Sequence, residues 1–207
     1  GRADARMNRA LLRLAEGDLT GGWNDYAHRF ATGDAVPRGF PIPEWRGEPL
    51  AGRRMLVWGE QGLGDEIMFG TALPDLLRQS GGLIVECDPR LTGLFARALP
   101  GAEVRAPTTN PRDADCHAPM GSVAARLRPA LRHFPSTAPL FTADSRLAAE
   151  WHNRLAALGP GLRVGICWRS SRMTADRAGA YSRIDQWGPI LAVPGATFVS
   201  LQYDGHE

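Results

Sequence analysis

The chain has 207 residues, 43% of them hydrophobic and 22% charged, with a formal net charge of +2. That leaves room for one good core, or for one domain and part of another, in an ordinary globular composition. All 24 basic residues are arginine, which excludes a P-loop lysine, Schiff-base chemistry and a lysine general base, although genomic base composition explains the bias more simply than function does.

Residues 1–33 read as helix. Ala10, Leu11, Leu14 and Ala15 share one face, Gly17-Asp18 interrupts the run, and Trp23, Tyr26, Ala27 and Phe30 resume it. Two short helices joined by a Gly-Asp turn are the unit of helical-repeat arrays, and one such unit cannot bury its own faces. Either the pair packs on the next domain or an array has been cut off upstream. Residues 34–52 carry Pro37, Pro41, Pro43 and Pro49 and have the composition of a linker. Trp45 is its expected anchor, with packing favoured over ligand stacking.

An α/β pattern follows. Met55 to Trp58 form an unbroken apolar strand, Gly59, Gly62 and Gly64 supply a turn, and Asp65 reads as the N-cap of a helix over 65–79. Further strands are expected at 83–87, 103–106 and 114–118, with helices over 90–98 and 121–132. This alternation predicts a doubly wound parallel sheet with helices on both faces. Asp144 then caps a helix whose Leu147, Trp151, Leu155 and Leu158 form one stripe, and Gly159-Pro160-Gly161 ends it. A strand at 162–168, an arginine-rich loop at 169–183, a helical turn near 184–191 and a strand at 197–202 complete the chain. Two parallel strands are too few to stand alone, so this part reads as the opening of a second α/β domain, truncated at residue 207. The expected divisions are 1–33, 34–52, 53–142 and 143–207.

Cys87, Cys116 and Cys167 are isolated and set among apolar residues. They imply neither a disulfide framework nor a zinc knuckle, and a reducing cytoplasm fits best. No signal peptide and no apolar run of roughly 18 residues is present, so no membrane span is expected. The histidines show no metal-ligand spacing, and Cys116-His117 would point to opposite faces of a strand. His117 reads as a core or crevice residue. No nucleophile elbow is found, and the basic loop lacks the interleaved aromatics of a nucleic-acid surface.

Two stretches remain as candidates for chemistry. In the turn from Gly59 to Asp65, Gly62 and Gly64 match part of a G-x-G-x-x-G fingerprint, and Glu86 stands where a ribose-binding acid would be. Ile67, however, takes the third glycine's place, and Asp65 puts a negative charge where a pyrophosphate would dock. Asp65 has a plain role as a helix cap and a functional one as general base, with Glu60 and Glu66 as substitutes. In the second stretch, Arg169, Arg172, Arg177 and Arg183 alternate with Ser170, Ser171, Thr174 and Ser182. Guanidinium forks and hydroxyls after a buried strand suit a diphosphate, and a solvated basic loop accounts for the composition equally well.

The segment Gly59-Glu60-Gln61-Gly62-Leu63-Gly64-Asp65-Glu66-Ile67-Met68-Phe69, with the helix pair before it and Pro43-Glu44-Trp45-Arg46-Gly47, resembles bacterial tetratricopeptide-repeat glycosyltransferases. These are similar to family 9 glycosyltransferases, the heptosyltransferase group, and more loosely to O-GlcNAc transferases. Val164 to Ser170 and Phe198 to Tyr203 fit the same family. The resemblance implies a GT-B architecture of two Rossmann-like domains facing across a cleft, with residues from about 50 to 142 on the acceptor side. It implies Asp65 as base, Glu60, Gln61, Gly62 and Gly64 as the acceptor-side loop, and Arg169, Ser170 and Ser171 near the donor diphosphate. The activity implied is sugar transfer from a nucleotide-diphosphate donor, as co-substrate, to an acceptor hydroxyl, without metal or other cofactor; the repeat helices themselves offer a surface for a protein partner. The family's donor-loop lysine has no counterpart here, and its nucleotide-binding motifs would lie after residue 207. The alternatives are a non-catalytic scaffold that binds a partner and a nucleotide-dependent oxidoreductase using Gly62, Gly64 and Glu86.

Overall fold

The computed structural model describes residues 2–135, 139–170 and 179–202. The chain forms two compact units, Gly1–Ala143 and Asp144–Glu207.

The first unit opens with helices α1 (Arg2–Glu16), α2 (Leu19–Tyr26) and α3 (Arg29–Thr32). Gly17 takes φ +85° at the α1–α2 turn, and the Asp18 carboxylate caps α2 by accepting from the Gly21 N–H at 3.0 Å. Arg9 and Arg13 of α1 donate to Asp25 of α2 at 2.7–2.9 Å, locking the two helices together. The pair does not stand alone. Trp23 and Tyr26 pack against Phe69 with ring centroids 6.2 and 5.9 Å away, and Met7, Ala10 and Tyr26 belong to the main core of this unit.

The sheet contains β1 (Arg54–Trp58), β2 (Gly82–Glu86), β3 (Glu103–Arg105) and β4 (Cys116–Pro119), all parallel, in the order β3-β2-β1-β4. The segment before β1 extends it: Trp45 N–H donates to the His117 carbonyl at 2.7 Å and His117 N–H to the Pro43 carbonyl at 3.0 Å. Trp45 itself is buried, a packing anchor as its context predicts.

Alternation along the strands sends Met55, Val57, Leu83, Val85, Cys116 and Ala118 to one face. Helices α4 (Leu63–Gly70), α5 (Leu73–Gln79), α6 (Thr92–Ala98) and α7 (Met120–Leu127) all contribute to the core on that face. Leu56 and Ile84 point to the other face, where Ala114, Phe40 and Ile42 cover them. The expected helices on both faces are therefore corrected to helices on one. The β1-to-β2 and β2-to-β3 crossovers run the same way, and right-handed crossovers then share a face. The return from β3 to β4 carries Pro107 and Pro111, which disfavour a helix there, so the loop and the residues before β1 serve as cover.

Two helices also differ from expectation. The helix expected over 65–79 is broken at Thr71-Ala72, because Pro74 cannot donate within a helix interior and sits in the first turn of α5. The helix expected over 121–132 ends at Leu127, two residues before Pro129, which restricts the residue preceding it.

In the second unit α8 (Ser145–Ala156) is capped by Asp144, whose carboxylate accepts from the Arg146 and Leu147 N–H groups at 3.0 and 3.1 Å. Strands β5 (Leu162–Ile166) and β6 (Ala196–Ser200) pair in parallel, and α9 (Gly188–Leu191) precedes β6. Among the described residues of this unit Gln202 alone is buried, and Leu147, Trp151 and Leu158 of the α8 stripe and its end stay largely exposed. No described helix is long and apolar enough to cross a membrane.

Candidate functional site

Strand order reverses between β1 and β4, so the carboxyl ends of these two strands flank a topological switch point, the preferred ligand crevice of an open parallel sheet. The turn from Gly59 to Asp65 leaves β1 at that point. Gly59 N–H donates to the Glu86 carbonyl at 2.6 Å, and a Cβ on Gly59 would stand 2.4 Å from the Glu66 carboxyl carbon. Any larger residue there would push the Glu66 carboxylate from its place.

Glu60 turns inward. Its carboxylate accepts from Arg29 Nε and Nη2 at 2.8 and 2.9 Å and from the Gly121 N–H at 2.8 Å. Arg29 also donates to Ser122 Oγ at 3.0 Å and to the Tyr26 carbonyl at 3.3 Å, and its guanidinium lies over the Phe30 ring at 4.3 Å. Both members are almost fully buried, at 2% and 5% exposure. A charge pair in such a place survives only when its hydrogen-bonding capacity is met, as it is here. Arg29 and Glu60 thus fasten α3, the loop after β1 and the start of α7 to one another.

Glu66 is also occupied. It is 7% exposed, its Oε2 accepts from the Asp88 N–H at 2.9 Å, and burial raises its pKa above the ordinary carboxylate value. Neither proposed substitute for the base is open to a ligand.

Asp65 differs from its expected place by one turn of helix. α4 begins at Leu63, with Gly62 in extended conformation as N-cap, and Asp65 stands three residues in, where its Oδ2 accepts from the Gly62 N–H at 3.0 Å. This is the carboxylate half of a capping box, and it needs an N-cap whose own N–H is reachable. Among the described residues Oδ1 has no hydrogen-bond partner. Gly64, in the same first turn, has open space beside it. Gln61 is the one described non-glycine residue with positive φ, +65°, and its Oε1 accepts from the Tyr26 hydroxyl at 2.5 Å. Burial raises the Tyr26 pKa far enough that the phenol remains a donor.

Gln61 and Asp65 line a cavity of about 370 Å³, whose walls include Met7, Trp23, Tyr26, Met68 and Phe69. It is predominantly apolar, and it lies between the N-terminal helices and α4–α5.

On the other side of β1, Glu86 is wholly buried at the end of β2. It faces Arg38 Nη1 at 2.8 Å, Arg105 Nε at 3.0 Å and the Thr108 hydroxyl at 2.5 Å. Burial alone would raise its pKa, but the Thr108 and Arg38 interactions outweigh that and hold it below the ordinary value. Its oxygens are not presented to a ribose. No cluster of three or more potential metal ligands occurs among the described residues.

Arg169 and Ser170 follow β5 in the second unit. The Arg169 carbonyl accepts from Gln202 Nε2 at 3.3 Å, joining the ends of β5 and β6. Ser171, Arg172, Thr174 and Arg177 lie outside the described residues, and Arg183 pairs with Asp185 at 2.6 Å on an exposed surface. Sequence reasoning gave Arg29, Tyr26 and Gly121 no role in the site. The available cue was an arginine set directly beside Phe30 on the otherwise apolar side of the helix pair.

No family model matches the sequence, and no solved structure does. The chain is similar to Protein FlbA of Caulobacter vibrioides, with 36% identity over 219 residues, which cover 96% of this chain and 37% of FlbA. The chain thus spans well under half the length of that relative.

Proposed function

We propose that this chain is the acceptor side, and the beginning of the donor side, of a metal-independent GT-B-type glycosyltransferase. The observation that carries the reading is Asp65: a carboxylate with one oxygen fixed by the Gly62 N–H and the other unpartnered among the described residues, at the carboxyl end of β1, on the wall of a cavity. In the reaction Asp65 takes the proton of an acceptor hydroxyl while that oxygen attacks the anomeric carbon of a nucleotide-diphosphate sugar. The bond from that carbon to the diphosphate oxygen breaks, and its electron pair leaves with the diphosphate. Arg169, Ser170 and Ser171 belong to the loop assigned to that leaving group, where cationic donors stabilise developing charge. A cytoplasmic setting agrees with the free thiols of Cys87 and Cys116.

Glu86, wholly buried between Arg38, Arg105 and Thr108, weighs against the oxidoreductase alternative. The apolar cavity beside the helix pair favours the binding-protein alternative as much as it favours an enzyme. The deciding experiment measures nucleotide-diphosphate release from a panel of nucleotide sugars by the protein as the cell makes it. Release is expected with one donor class and should fall at least a hundredfold in Asp65→Asn. Undiminished release in that variant rules out the base, and no release from any donor leaves the binding-protein reading.

A further inference from the structure

The cavity of about 370 Å³ falls within the roughly 300–1,000 Å³ of small-molecule sites, and its composition is that of one: apolar walls with a few convergent polar groups. Met7, Leu11 and Trp23 form the wall from α1 and α2, and Met68 and Phe69 form the wall from α4. Leu11 and Met68 remain 53% and 54% exposed. Large apolar side chains gathered beside a cavity, rather than scattered singly, mark a surface that meets an apolar ligand. The polar lining groups are Gln61, Asp65, Thr71 and Arg128; the Gln61 oxygen is taken by the Tyr26 hydroxyl, the Thr71 hydroxyl donates to the Met68 carbonyl, and Arg128 pairs with Asp75. The Asp65 Oδ1, without a hydrogen-bond partner among the described residues, is an acceptor, and a neutral hydroxyl matches it without adding a further charge to be paired in a mostly apolar cavity.

We infer that this cavity binds a small amphipathic alcohol, with its hydrocarbon or aromatic body between α1–α2 and α4 and its hydroxyl on Asp65. This rests on the transferase reading and narrows it: the acceptor is an amphipathic alcohol, not a free sugar. The N-terminal helices then form part of the substrate site itself, because they supply one of its two apolar walls.

The probe is n-octyl β-glucoside below its micelle concentration, with glucose as the control lacking the apolar body. Binding to the 207-residue chain is measured by isothermal titration calorimetry. Saturable binding of the octyl glucoside is expected, with glucose at least tenfold weaker. Met68→Glu and Leu11→Glu, each at an exposed position and each checked for retained fold by circular dichroism, should weaken octyl glucoside binding at least tenfold. Glucose binding as tightly as the octyl glucoside, or both variants binding as the parent does, overturns the inference. Turnover separates the two levels of the argument. Transfer to octyl glucoside and not to glucose, by the protein as the cell makes it, supports the acceptor class. Transfer to glucose alone overturns that class and leaves the transferase reading intact. Binding of octyl glucoside with no transfer from any nucleotide sugar overturns the transferase reading and the acceptor role, while the amphiphile site stands.

Discussion

Arg29 and Glu60 form a two-pronged ion pair, at 2.8 and 2.9 Å, with both side chains shut off from water. The pair connects the N-terminal helices to the switch-point loop, and through Gly121 and Ser122 to the start of α7. Removing one partner strands a charge in a low-dielectric site. Arg29→Met should therefore cost about 3–5 kcal/mol, and the double variant Arg29→Met/Glu60→Met considerably less than the two single losses added together. Urea unfolding of the two single variants and the double completes the cycle. Single-variant costs that add to within about 0.5 kcal/mol of the double would show that the two residues do not act as a pair.

The first two strands and the helix pair were legible because their signals are local. Met55 to Trp58 and Leu83 to Val85 are unbroken apolar runs, and Gly17-Asp18 carries both a positive φ and a cap. What was not legible depends on distant partners. Nothing local marks Phe40 and Ile42 as the cover for a sheet face that a helix was expected to fill. Arg29 and Glu60 stand 31 residues apart, so no motif window joins them. The turn to Asp65 was legible as a strand-to-helix turn, but the place of Asp65 within the helix was not. Gly62 caps with its backbone alone, and a residue without a side chain gives no capping signal to read.

Two glycines of the site should respond to alanine with opposite signs. A Cβ on Gly121 would lie 2.6 Å from Glu60 Oε1 and 3.2 Å from the Tyr26 ring. Alanine gains about 1 kcal/mol of helix propensity there but forces the buried pair apart, so a net loss of about 1–3 kcal/mol is expected. Beside Gly64 there is open space, and Gly64→Ala should stabilise by about 0.4–1 kcal/mol. Thermal melts of both variants check the signs, and stabilisation by both would refute the close approach at Gly121.

His117 predicts a loss of stability in acid. It is 7% exposed, Trp58 donates its indole N–H to Nδ1 at 3.2 Å, and the Phe40 ring lies 4.6 Å away. Indole only donates, so Nδ1 must be unprotonated. Burial lowers the pKa, the Arg38 charge adds to that, and Glu44 partly opposes it. At neutral pH neither the folded nor the unfolded chain binds this proton. As pH falls through about 6.5, the unfolded chain takes it up first, and stability drops by at most about 1.4 kcal/mol per pH unit until the folded pKa is reached. The difference in urea midpoint between pH 7 and pH 5 should shrink in His117→Gln. An NMR titration that puts the folded His117 at or above 6.5 would contradict the assignment.

The cap and the base at Asp65 can be separated because they need different things from the side chain. The bond from the Gly62 N–H at 3.0 Å needs only an acceptor oxygen, which asparagine keeps. What asparagine loses is a negative charge in the first turn of α4, worth about 0.3–1 kcal/mol against the helix dipole. Alanine loses both, and by comparison with other caps should cost about 1–2 kcal/mol. Asp65→Asn is then nearly as stable as the parent, and Asp65→Ala is measurably less so. If Asp65 is the base, both variants lose turnover to a similar extent, because neither can accept a proton at neutral pH. If it is only a cap, turnover follows stability: Asp65→Asn works and Asp65→Ala falls short at elevated temperature. Unfolding midpoints and donor turnover measured on the same two preparations decide between the roles, since the ordering of the variants differs.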